Sequence, residues 1–255
     1  MSKLDLVIVT GASRGIGKQV ALSFADLSCP VIAVGSSELI KQTDFGKTTQ
    51  ALQLDISNFT EVEAKLGPYV KAGAQSKIVV VLCASQTGMH GGLFNSDLNE
   101  WLDLYNINVL GNLCVLKQVI DKLSSESILR VVFFAGGGAA YGYPDFSGYA
   151  LTKAATVRAV ENVAMEFNEK KLNASIVALA PGAVATDMLA KVIANGGMVK
   201  TKTDISEPVE FVRKFVFDEI PSRTLNGRFV HVRDDVNNLD FSVLSDDHFK
   251  LRRVQ

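Results

Sequence analysis

Short apolar runs alternate along the whole chain with longer segments in which apolar residues recur at helical spacing. Seven runs have the length and composition of strands, at residues 4–9, 31–34, 50–54, 77–84, 128–135, 174–180 and 227–232. Several are almost wholly apolar, which is typical of strands that are covered on both faces. Between them, the clearest helical patterns are residues 98–123 and 147–170, whereas residues 36–48 are too short and polar for a full helix.

This β–α–β succession predicts an α/β fold, with a doubly wound parallel sheet of about seven strands and helices on both faces. We find no internal repeat, low-complexity linker or break in composition, so residues 1–255 are predicted to form one domain. In such a sheet, ligands bind beyond the carboxyl ends of the strands. The residues that follow each strand are therefore the candidates for chemistry.

Composition narrows the function classes. Of the 255 residues, 47% are apolar, and 26 basic residues stand against 27 acidic ones for a net charge of −1. Without a basic excess, we expect neither nucleic acid nor an anionic membrane as a partner. The three cysteines form no CxxC pair and the three histidines are scattered, so we expect reduced thiols, no metal site and a cytoplasmic location. Because the chain enters its first strand at once, we also expect no targeting segment or membrane span.

Residues 10–17, Thr-Gly-Ala-Ser-Arg-Gly-Ile-Gly, join the first strand to a helix. A helix start offers unpaired N–H groups and the positive end of the helix dipole, and glycines let the backbone approach an anion closely. The turn is therefore a candidate phosphate cradle. Taken alone, its Gly-x-x-x-Gly-x-Gly spacing also fits a plain tight turn between strand and helix.

The residues after the second and third strands bear on the choice of nucleotide. Ser36 and Ser37 stand where a carboxylate would repel a 2′-phosphate, and Arg14 adds a cation nearby. This pattern favours NADP over NAD. Alternatively, the two serines simply begin a short helix, and Arg14 is a charge exposed to solvent. Asp55, after the third strand, can accept a hydrogen bond from adenine or cap the helix that begins near Ser57.

Tyr149 and Lys153 are four residues apart at the start of the second long helix, so both lie on one face of it. A nearby ammonium favours the phenolate and is expected to lower the pKa of Tyr149, which would make it a general acid or base near neutral pH. Taken alone, the spacing also fits an ordinary exposed pair on a helix.

Five motifs, in this order and spacing, resemble the short-chain dehydrogenase/reductase family: TGASRGIG, LDI, NINVLG, YALTK and PGAVATDM. The resemblance spans about residues 4–232, and the GSSE after the second strand is similar to the NADPH-using β-ketoacyl carrier-protein reductases. It implies a Rossmann-type fold, NADP(H) as cofactor with NAD less favoured, and oxidoreductase activity on a small carbonyl or alcohol compound. It also implies assembly as a homodimer or homotetramer.

The resemblance further implies roles for individual residues. Those that would contact the cofactor, besides Tyr149 and Lys153, are Gly11, Ser13, Arg14, Gly15, Ile16, Gly17, Ser36, Ser37, Asp55, Ile56, Ala84, Pro181, Gly182, Val184 and Thr186. Tyr149 would give a proton to the substrate carbonyl oxygen, and Lys153 would bind the nicotinamide ribose and tune Tyr149. Asn108 would hold a helix kink and a proton-relaying water, although an asparagine buried in a helix can also simply satisfy a backbone carbonyl.

Two departures from the family pattern bear on function. Residues 82–85 read Leu-Cys-Ala-Ser instead of Asn-Asn-Ala-Gly, and no Ser or Thr occurs from residue 129 to residue 146, where the family places a catalytic serine. That register falls on Gly136, or on Ala135 after a shift of one. One missing donor at a developing oxyanion can cost about 10²–10³ in rate. Tyr141, Ser85, a water or a substrate hydroxyl are candidate substitutes, and a degenerate site is the alternative.

Two further segments are expected to shape the site. Residues 86–94 would form the wall and residues 188–205 the lid of a substrate pocket. Lys191, Lys200 and Lys202 on the lid would attract an anionic group or simply be solvated. The polar tail 233–255 is expected to dock on the parent domain or on a neighbouring subunit.

Three functions remain open at this point. The first is reduction of a carbonyl to an alcohol by NADPH, or the reverse reaction, on a polar or sugar-like ketone. The second is an NADP-binding protein with a degenerate active site that serves as a sensor or partner. The third is an epimerase that acts through a transient ketone.

Overall fold

The computed structural model describes residues 3–71, 73, 75–196, 201–236, 238–239, 245 and 247–251. The strands, in chain order, are β1 (Leu6–Thr10), β2 (Val31–Gly35), β3 (Thr49–Gln53), β4 (Lys77–Leu82), β5 (Ile128–Phe134), β6 (Asn173–Ala180), β7 (Ala183–Val184), β8 (Lys202–Thr203) and β9 (Phe229–His231). The helices are α1 (Gly15–Ala25), the single turn α2 (Leu39–Gln42), α3 (Phe59–Leu66), α4 (Leu98–Tyr105), α5 (Asn112–Ile120), α6 (Ser147–Glu169), α7 (Asp187–Ala194) and α8 (Ser206–Val216).

Seven strands form one parallel sheet in the order β3-β2-β1-β4-β5-β6-β9. The order reverses between β1 and β4, as in a doubly wound sheet, so the predicted fold class is confirmed. Each predicted strand overlaps an observed one to within two residues at either end. Their apolar composition is explained by burial on both faces, since every residue of β1 and β2 is buried.

Two buried apolar clusters lie on opposite faces of the sheet. One joins alternate strand residues, such as Ile8, to α3, α5 and α6. The other joins their neighbours, such as Val9, to α1 and α8. Because successive strand side chains point to opposite faces, one near-continuous apolar run serves both clusters.

The long helix predicted over residues 98–123 is interrupted. It consists of α4, a π-helical segment (Asn106–Gly111) and α5, which ends at Ile120. At Gly111 a Cβ would lie 2.5 Å from the Ile56 carbonyl oxygen, so the helix passes unusually close to the loop after β3. π-Helical segments of this kind are frequent at functional sites.

Helix α8 was not among the clear sequence patterns, yet it covers one face of the sheet through residues such as Phe211 and Phe215. It begins with a reciprocal pair of contacts. The Asp204 carboxylate accepts a hydrogen bond from Ser206 N (2.8 Å), and the Glu207 carboxylate accepts one from Asp204 N (3.0 Å). This Asp-x-x-Glu arrangement resembles a capping box and is a local signal that marks the helix start.

The predicted lid 188–205 contains most of α7, then β8 and the start of the turn into α8. The short parallel pair β7–β8 brings the two ends of this excursion together. Arg233 holds the second end, because it donates to Thr203 Oγ1 (2.8 Å) and to the Lys202 carbonyl (2.9 Å). Lys200, one of the predicted lid lysines, lies outside the described residues.

Part of the tail 233–255 contacts α6 of the same domain. Arg158 donates to the Leu251 carbonyl (3.0 Å), and Leu251 N donates to the Glu161 carboxylate (2.8 Å). Residues 237, 240–244, 246 and 252–255 lie outside the described part. Among the described residues, we find no helix with both the length and the apolar character needed to cross a bilayer.

The close approach of the first turn of α1 to the end of β1 generates a stability prediction. A Cβ on Gly17 would lie 2.8 Å from the Gly11 carbonyl carbon and 3.1 Å from the Thr10 carbonyl oxygen, and both are backbone atoms. We expect Gly17→Ala to lower the free energy of unfolding by about 2 kcal/mol, since overpacking outweighs the better helix propensity of alanine. Urea unfolding measures this. Gly137→Ala is the control, because no heavy atom lies within 4 Å of its Cβ position. Equal stability of the two variants would contradict the analysis.

Candidate active site

A cleft of about 600 Å³ opens at the carboxyl ends of the strands, where the sheet order reverses. The structure brings most of the predicted cofactor contacts together on its lining: Gly11, Ser13, Arg14, Gly15, Ile16, Gly17, Ser36, Ser37, Asp55, Ile56, Ala84, Pro181 and Thr186. Tyr149 and Lys153 line the same cleft. The predicted residues that do not line it are Gly182, Val184 and Asn108.

The Gly-rich turn has a backbone conformation that requires glycine at residue 11. Gly11 has φ +67°, and a Cβ there would lie 2.8 Å from the nitrogen and the Cα of Ala84, so a side chain would meet both strain and collision. Helix α1 starts at Gly15 without a side-chain cap and without an acidic residue in its first turn. Its first N–H groups therefore lack side-chain acceptors at the edge of the cleft, which fits an anion.

At the predicted 2′-phosphate end, Ser36 and Ser37 are exposed and line the cleft. Arg14 does not turn toward them. Its Nη1 lies 3.4 Å from the Asp187 carboxylate at the start of α7, with both side chains well exposed. A surface pair of this kind is worth roughly 0–1 kcal/mol, so it leaves Arg14 free to exchange partners.

The two interpretations of Asp55 are resolved in part. Its carboxylate accepts hydrogen bonds from Ser57 N (3.0 Å) and Ser57 Oγ (2.7 Å) in the loop before α3. The cap of α3 is Asn58, whose side chain accepts from Glu61 N (3.1 Å). The interpretation of Asp55 as the helix cap is therefore wrong.

Tyr149 and Lys153 project from the first turns of α6. Lys153 is 2% exposed, its Nζ donates to the Phe134 carbonyl (3.0 Å), and it lies 5.3 Å from the centroid of the Tyr149 ring. Burial lowers the pKa of Lys153 to about 8, against an opposing effect of Cys83. Burial also raises the pKa of the Cys83 thiol to about 11, so this thiol is neutral near pH 7.

The expected lowering of the Tyr149 pKa is wrong for the protein alone. Burial raises it above its ordinary value, and Tyr143 and Cys83 raise it further. The physical reason is that desolvation penalises every charged form in this cleft, including the ammonium that was expected to stabilise the phenolate. Tyr149 is therefore held as a neutral phenol. Sequence reasoning did not identify Tyr143, which lies six residues before Tyr149 and packs on Phe146.

Asn108 lies in the π-helical segment and is fully buried. Its carboxamide accepts from Gln86 N (2.8 Å) and donates to the Gln86 carbonyl (2.8 Å) and to Thr152 Oγ1 (3.0 Å). The Asn108 side chain therefore does satisfy backbone groups, as the alternative interpretation of a buried asparagine predicted. Its link to Thr152 also fixes α6 at the residue next to Lys153, about one turn after Tyr149, while the water relay stays a prediction.

Thr10 and Asn112 are functional-site residues that sequence reasoning missed. Thr10 Oγ1 donates to Asn112 Oδ1 (2.7 Å) and accepts from the backbone N–H groups of Cys83 (2.9 Å) and Ala84 (3.0 Å). Asn112 Nδ2 donates to the Ala84 carbonyl (2.9 Å). The available signal was the spacing of Asn112, one helical turn after Asn108 on the same face.

Of the two positions predicted for the missing hydroxyl, Gly136 lies beside the phenol. A Cβ on Gly136 would lie 3.5 Å from Tyr149 Oη. Of the candidate substitutes, Tyr141 is 79% exposed, whereas Ser85 lines the cleft. Ser147 donates to the Pro144 carbonyl (3.0 Å) and is engaged there.

A second cavity of about 470 Å³ adjoins the cleft. Residues 86–89 of the predicted wall line it, together with α4 and the start of α7. Its charged side chains are Arg14, Glu100, Asp103, Asp187 and Lys191. Of the predicted lid lysines, Lys191 thus reaches a cavity. His90 is exposed and lies against the Phe146 ring, at 5.4 Å between ring centroids.

Comparison with known proteins agrees with this geometry. The sequence profile of the short chain dehydrogenase family matches residues 5–196. Short chain dehydrogenase pigC of Monascus ruber is 28% identical over 195 residues, which cover 72% of this chain and 63% of that protein. Short chain dehydrogenase tazN of Aspergillus terreus is 28% identical over 194 residues, covering 72% and 42%. The chain thus spans less than two thirds of either protein. The 3-oxoacyl-[acyl-carrier-protein] reductase FabG of Aggregatibacter actinomycetemcomitans is 26% identical over 194 residues, covering 72% and 78%.

Solved structures share the fold. A 4-hydroxyisoleucine dehydrogenase complexed with NADH has a TM-score of 0.72 at 17% identity, covering 89% of this chain and 96% of that chain. A short chain dehydrogenase from Shigella flexneri complexed with NADP has a TM-score of 0.74 at 18% identity, covering 90% and 97%.

The buried Lys153 generates a pH prediction. Its folded-state pKa of about 8 lies below the ordinary value of 10.5, so between these pH values only the unfolded chain holds the proton. Stability should therefore rise with pH across this window relative to Lys153→Met, by an amount of the order of 2 kcal/mol. Urea unfolding of both proteins from pH 7 to 10.5 measures the difference. Parallel stability curves would show that burial of the ammonium carries no cost.

Proposed function

Since this chain belongs to the short-chain dehydrogenase/reductase family, an oxidoreductase family, we propose that it uses NADP(H) to reduce a carbonyl to an alcohol, or to run the reverse reaction. The observation that carries the proposal is the convergence of three features on one cleft. These are the Gly-rich turn before α1, the phenol of Tyr149 and the ammonium of Lys153. A binding role alone does not account for a half-buried phenol beside the buried amine of Lys153.

The cleft residues fit a nicotinamide dinucleotide. Gly11 and the start of α1 would hold the pyrophosphate, and Asp55 and Ile56 would face the adenine. Support for NADP comes from the two exposed hydroxyls of Ser36 and Ser37, with no carboxylate at either position, and from the weakly held Arg14. Structural neighbours carry NADH or NADP, so they support a nicotinamide cofactor. The preference for NADP over NAD rests on Ser36, Ser37 and Arg14.

When bound, the cofactor supplies or accepts the hydride. The chain's own residues would donate or accept the proton. Because burial keeps Tyr149 neutral, its hydroxyl is ready to donate to the oxygen of a carbonyl that is being reduced. Lys153 has a pKa of about 8, so it is largely an ammonium near neutral pH and stabilises the phenolate that forms. Its hydrogen bond to Phe134 and the contact between Asn108 and Thr152 fix both groups on α6.

The substrate that we propose is a polar ketone such as a ketosugar. The cavity of about 470 Å³ beside the cleft carries Glu100, Asp103 and Lys191 on its wall. Carboxylates that face a cavity suit hydroxyl donors on a ligand, and such a wall disfavours a purely apolar compound.

The absence of a hydroxyl at residue 136 favours a second candidate, an NADP-binding protein without effective turnover. In that case the cleft would bind the dinucleotide and the chain would act as a sensor or partner. The two candidates differ in one measurable property, which is the dependence of any turnover on Tyr149.

Removal of the phenolic hydroxyl tests the proposed function. We expect the protein to consume NADPH with at least one member of a panel of ketones, diketones and ketosugars, and to do so faster than it consumes NADH. Tyr149→Phe should lower kcat by about 10² or more, because the proton donor is lost, while NADPH binding persists. Absorbance at 340 nm follows the reaction, and fluorescence titration follows binding.

Tyr69→Phe is the matched control, since this exposed tyrosine lines neither cavity and should leave the rate unchanged. If wild type and Tyr149→Phe bind NADPH but are equally inert, the second candidate replaces the first. If the protein binds NADH as tightly as NADPH, or more tightly, the preference for NADP inferred from Ser36, Ser37 and Arg14 is wrong.

Restoring the hydroxyl at residue 136 is a separate prediction. Gly136 has φ 174° and ψ 171°, an extended conformation that serine adopts without strain, and a Cβ there meets Tyr149 Oη at an ordinary contact distance of 3.5 Å. We expect Gly136→Ser to raise kcat by about tenfold or more over Gly136→Ala, which adds the Cβ without the donor. Equal rates for the serine and alanine variants would mean that another donor already serves the carbonyl.

A further inference from the structure

Ser85, which follows β4 after two intervening residues, carries a hydroxyl that the fold leaves unused. Its Oγ is buried from solvent and has no hydrogen-bond partner among the described residues. The residue lines both the 600 Å³ cleft and the 470 Å³ cavity, so it lies where the two meet. The family pattern Asn-Asn-Ala-Gly has glycine at this position, so the serine of this chain departs from it.

The backbone on either side of Ser85 is held firmly. Ala84 N donates to Thr10 Oγ1 (3.0 Å), and the Ala84 carbonyl accepts from Asn112 (2.9 Å). Gln86 N and its carbonyl both bond to the Asn108 carboxamide, at 2.8 Å each. Three buried polar side chains thus fix the residues before and after Ser85. These backbone contacts fix the position of Ser85, whose own hydroxyl makes no hydrogen bond among the described residues.

An orphaned hydroxyl lowers stability, because it loses its water partners on burial and gains none from the protein. Alanine or glycine at residue 85 would avoid that loss. Such a group is expected to be satisfied when the neighbouring space is filled by a ligand with a suitable partner. Ser175 offers a contrast within the same chain. Its Oγ is equally orphaned, but it lies in β6 and lines neither cavity.

The surroundings of Ser85 indicate which ligand supplies the partner. The Gly-rich turn packs directly on the preceding residue, since the Cβ position of Gly11 is 2.8 Å from the Ala84 backbone. Ser85 is therefore next to the part of the cleft that suits a pyrophosphate and its adjoining ribose. Those groups are rich in hydrogen-bond acceptors, and a hydroxyl is a donor that rotates to meet them.

We propose that the Ser85 hydroxyl hydrogen-bonds the bound nicotinamide dinucleotide and is a cofactor-binding residue of this chain. The inference rests on the proposed use of a nicotinamide cofactor. It adds a contact made by a side chain at a position where the family motif has none.

Two measurements on Ser85→Ala test the assignment. The free energy of unfolding of the cofactor-free protein, from urea titration, should stay equal to that of wild type or rise, because the orphaned hydroxyl is gone. The Kd for NADPH, from fluorescence titration, should increase by about five- to tenfold, because one hydrogen bond to the cofactor is lost. A residue with a purely structural role would show the opposite pattern, with stability lowered and affinity unchanged.

Ser175→Ala is the matched control. It removes the same kind of hydroxyl from β6 and should leave the Kd for NADPH unchanged. If Ser85→Ala binds NADPH as tightly as wild type, or if Ser175→Ala weakens binding equally, the assignment of Ser85 is overturned. If wild type itself binds neither NADPH nor NADH, it is the proposed function that fails, and the two failures are thereby distinguished.

Discussion

The cleft depends on how closely the ends of β1 and β4 approach each other. These strands are neighbours in the sheet although α1, β2, α2, β3 and α3 separate them in the chain. At their carboxyl ends the Thr10 hydroxyl accepts from the N–H groups of Cys83 and Ala84, and Gly11 leaves no side chain between the two backbones. The sheet order reverses at this point, which is where the crevice of a doubly wound sheet opens. Everything that lines the cleft is positioned relative to this junction.

The π-helical segment extends the same junction to the chemistry. Asn108 of this segment bonds to Gln86 and to Thr152 on α6. Asn112, the first residue of α5, bonds to Thr10, to the Ala84 carbonyl and to the Asn108 carbonyl. One connected set of buried hydrogen bonds therefore runs from the Gly-rich turn to the helix that carries Tyr149 and Lys153. A fully satisfied buried network rigidifies the elements that it joins, so the phenol and the amine are held by the same contacts that shape the phosphate end.

The sequence was sufficient for the sheet and for most of the cleft, because both follow from local patterns. Apolar runs located the seven strands, and the rule that ligands bind beyond their carboxyl ends located Gly11 and Asp55, whereas Tyr149 was found from its spacing to Lys153. It was insufficient wherever tertiary contacts decide the outcome. The break in the long helix arises from partners of Asn108 and Asn112 that are 22 and 28 residues away in the chain. The direction of the Tyr149 pKa shift depends on burial, which the spacing to Lys153 does not reveal.

The two departures from the family pattern have separable physical consequences. Ser85 adds a hydroxyl beside the Gly-rich turn, where the proposed dinucleotide would be held in the ground state. Gly136 has no hydroxyl beside the Tyr149 phenol, where charge would develop on the oxygen of the proposed substrate. An interaction made equally in the ground state and the transition state changes affinity, whereas one made only in the transition state changes kcat. A gain at residue 85 therefore does not compensate for the loss at residue 136. If the proposed function holds, these two changes would strengthen cofactor binding and would leave stabilisation of the oxyanion to Tyr149 and to a donor on the substrate.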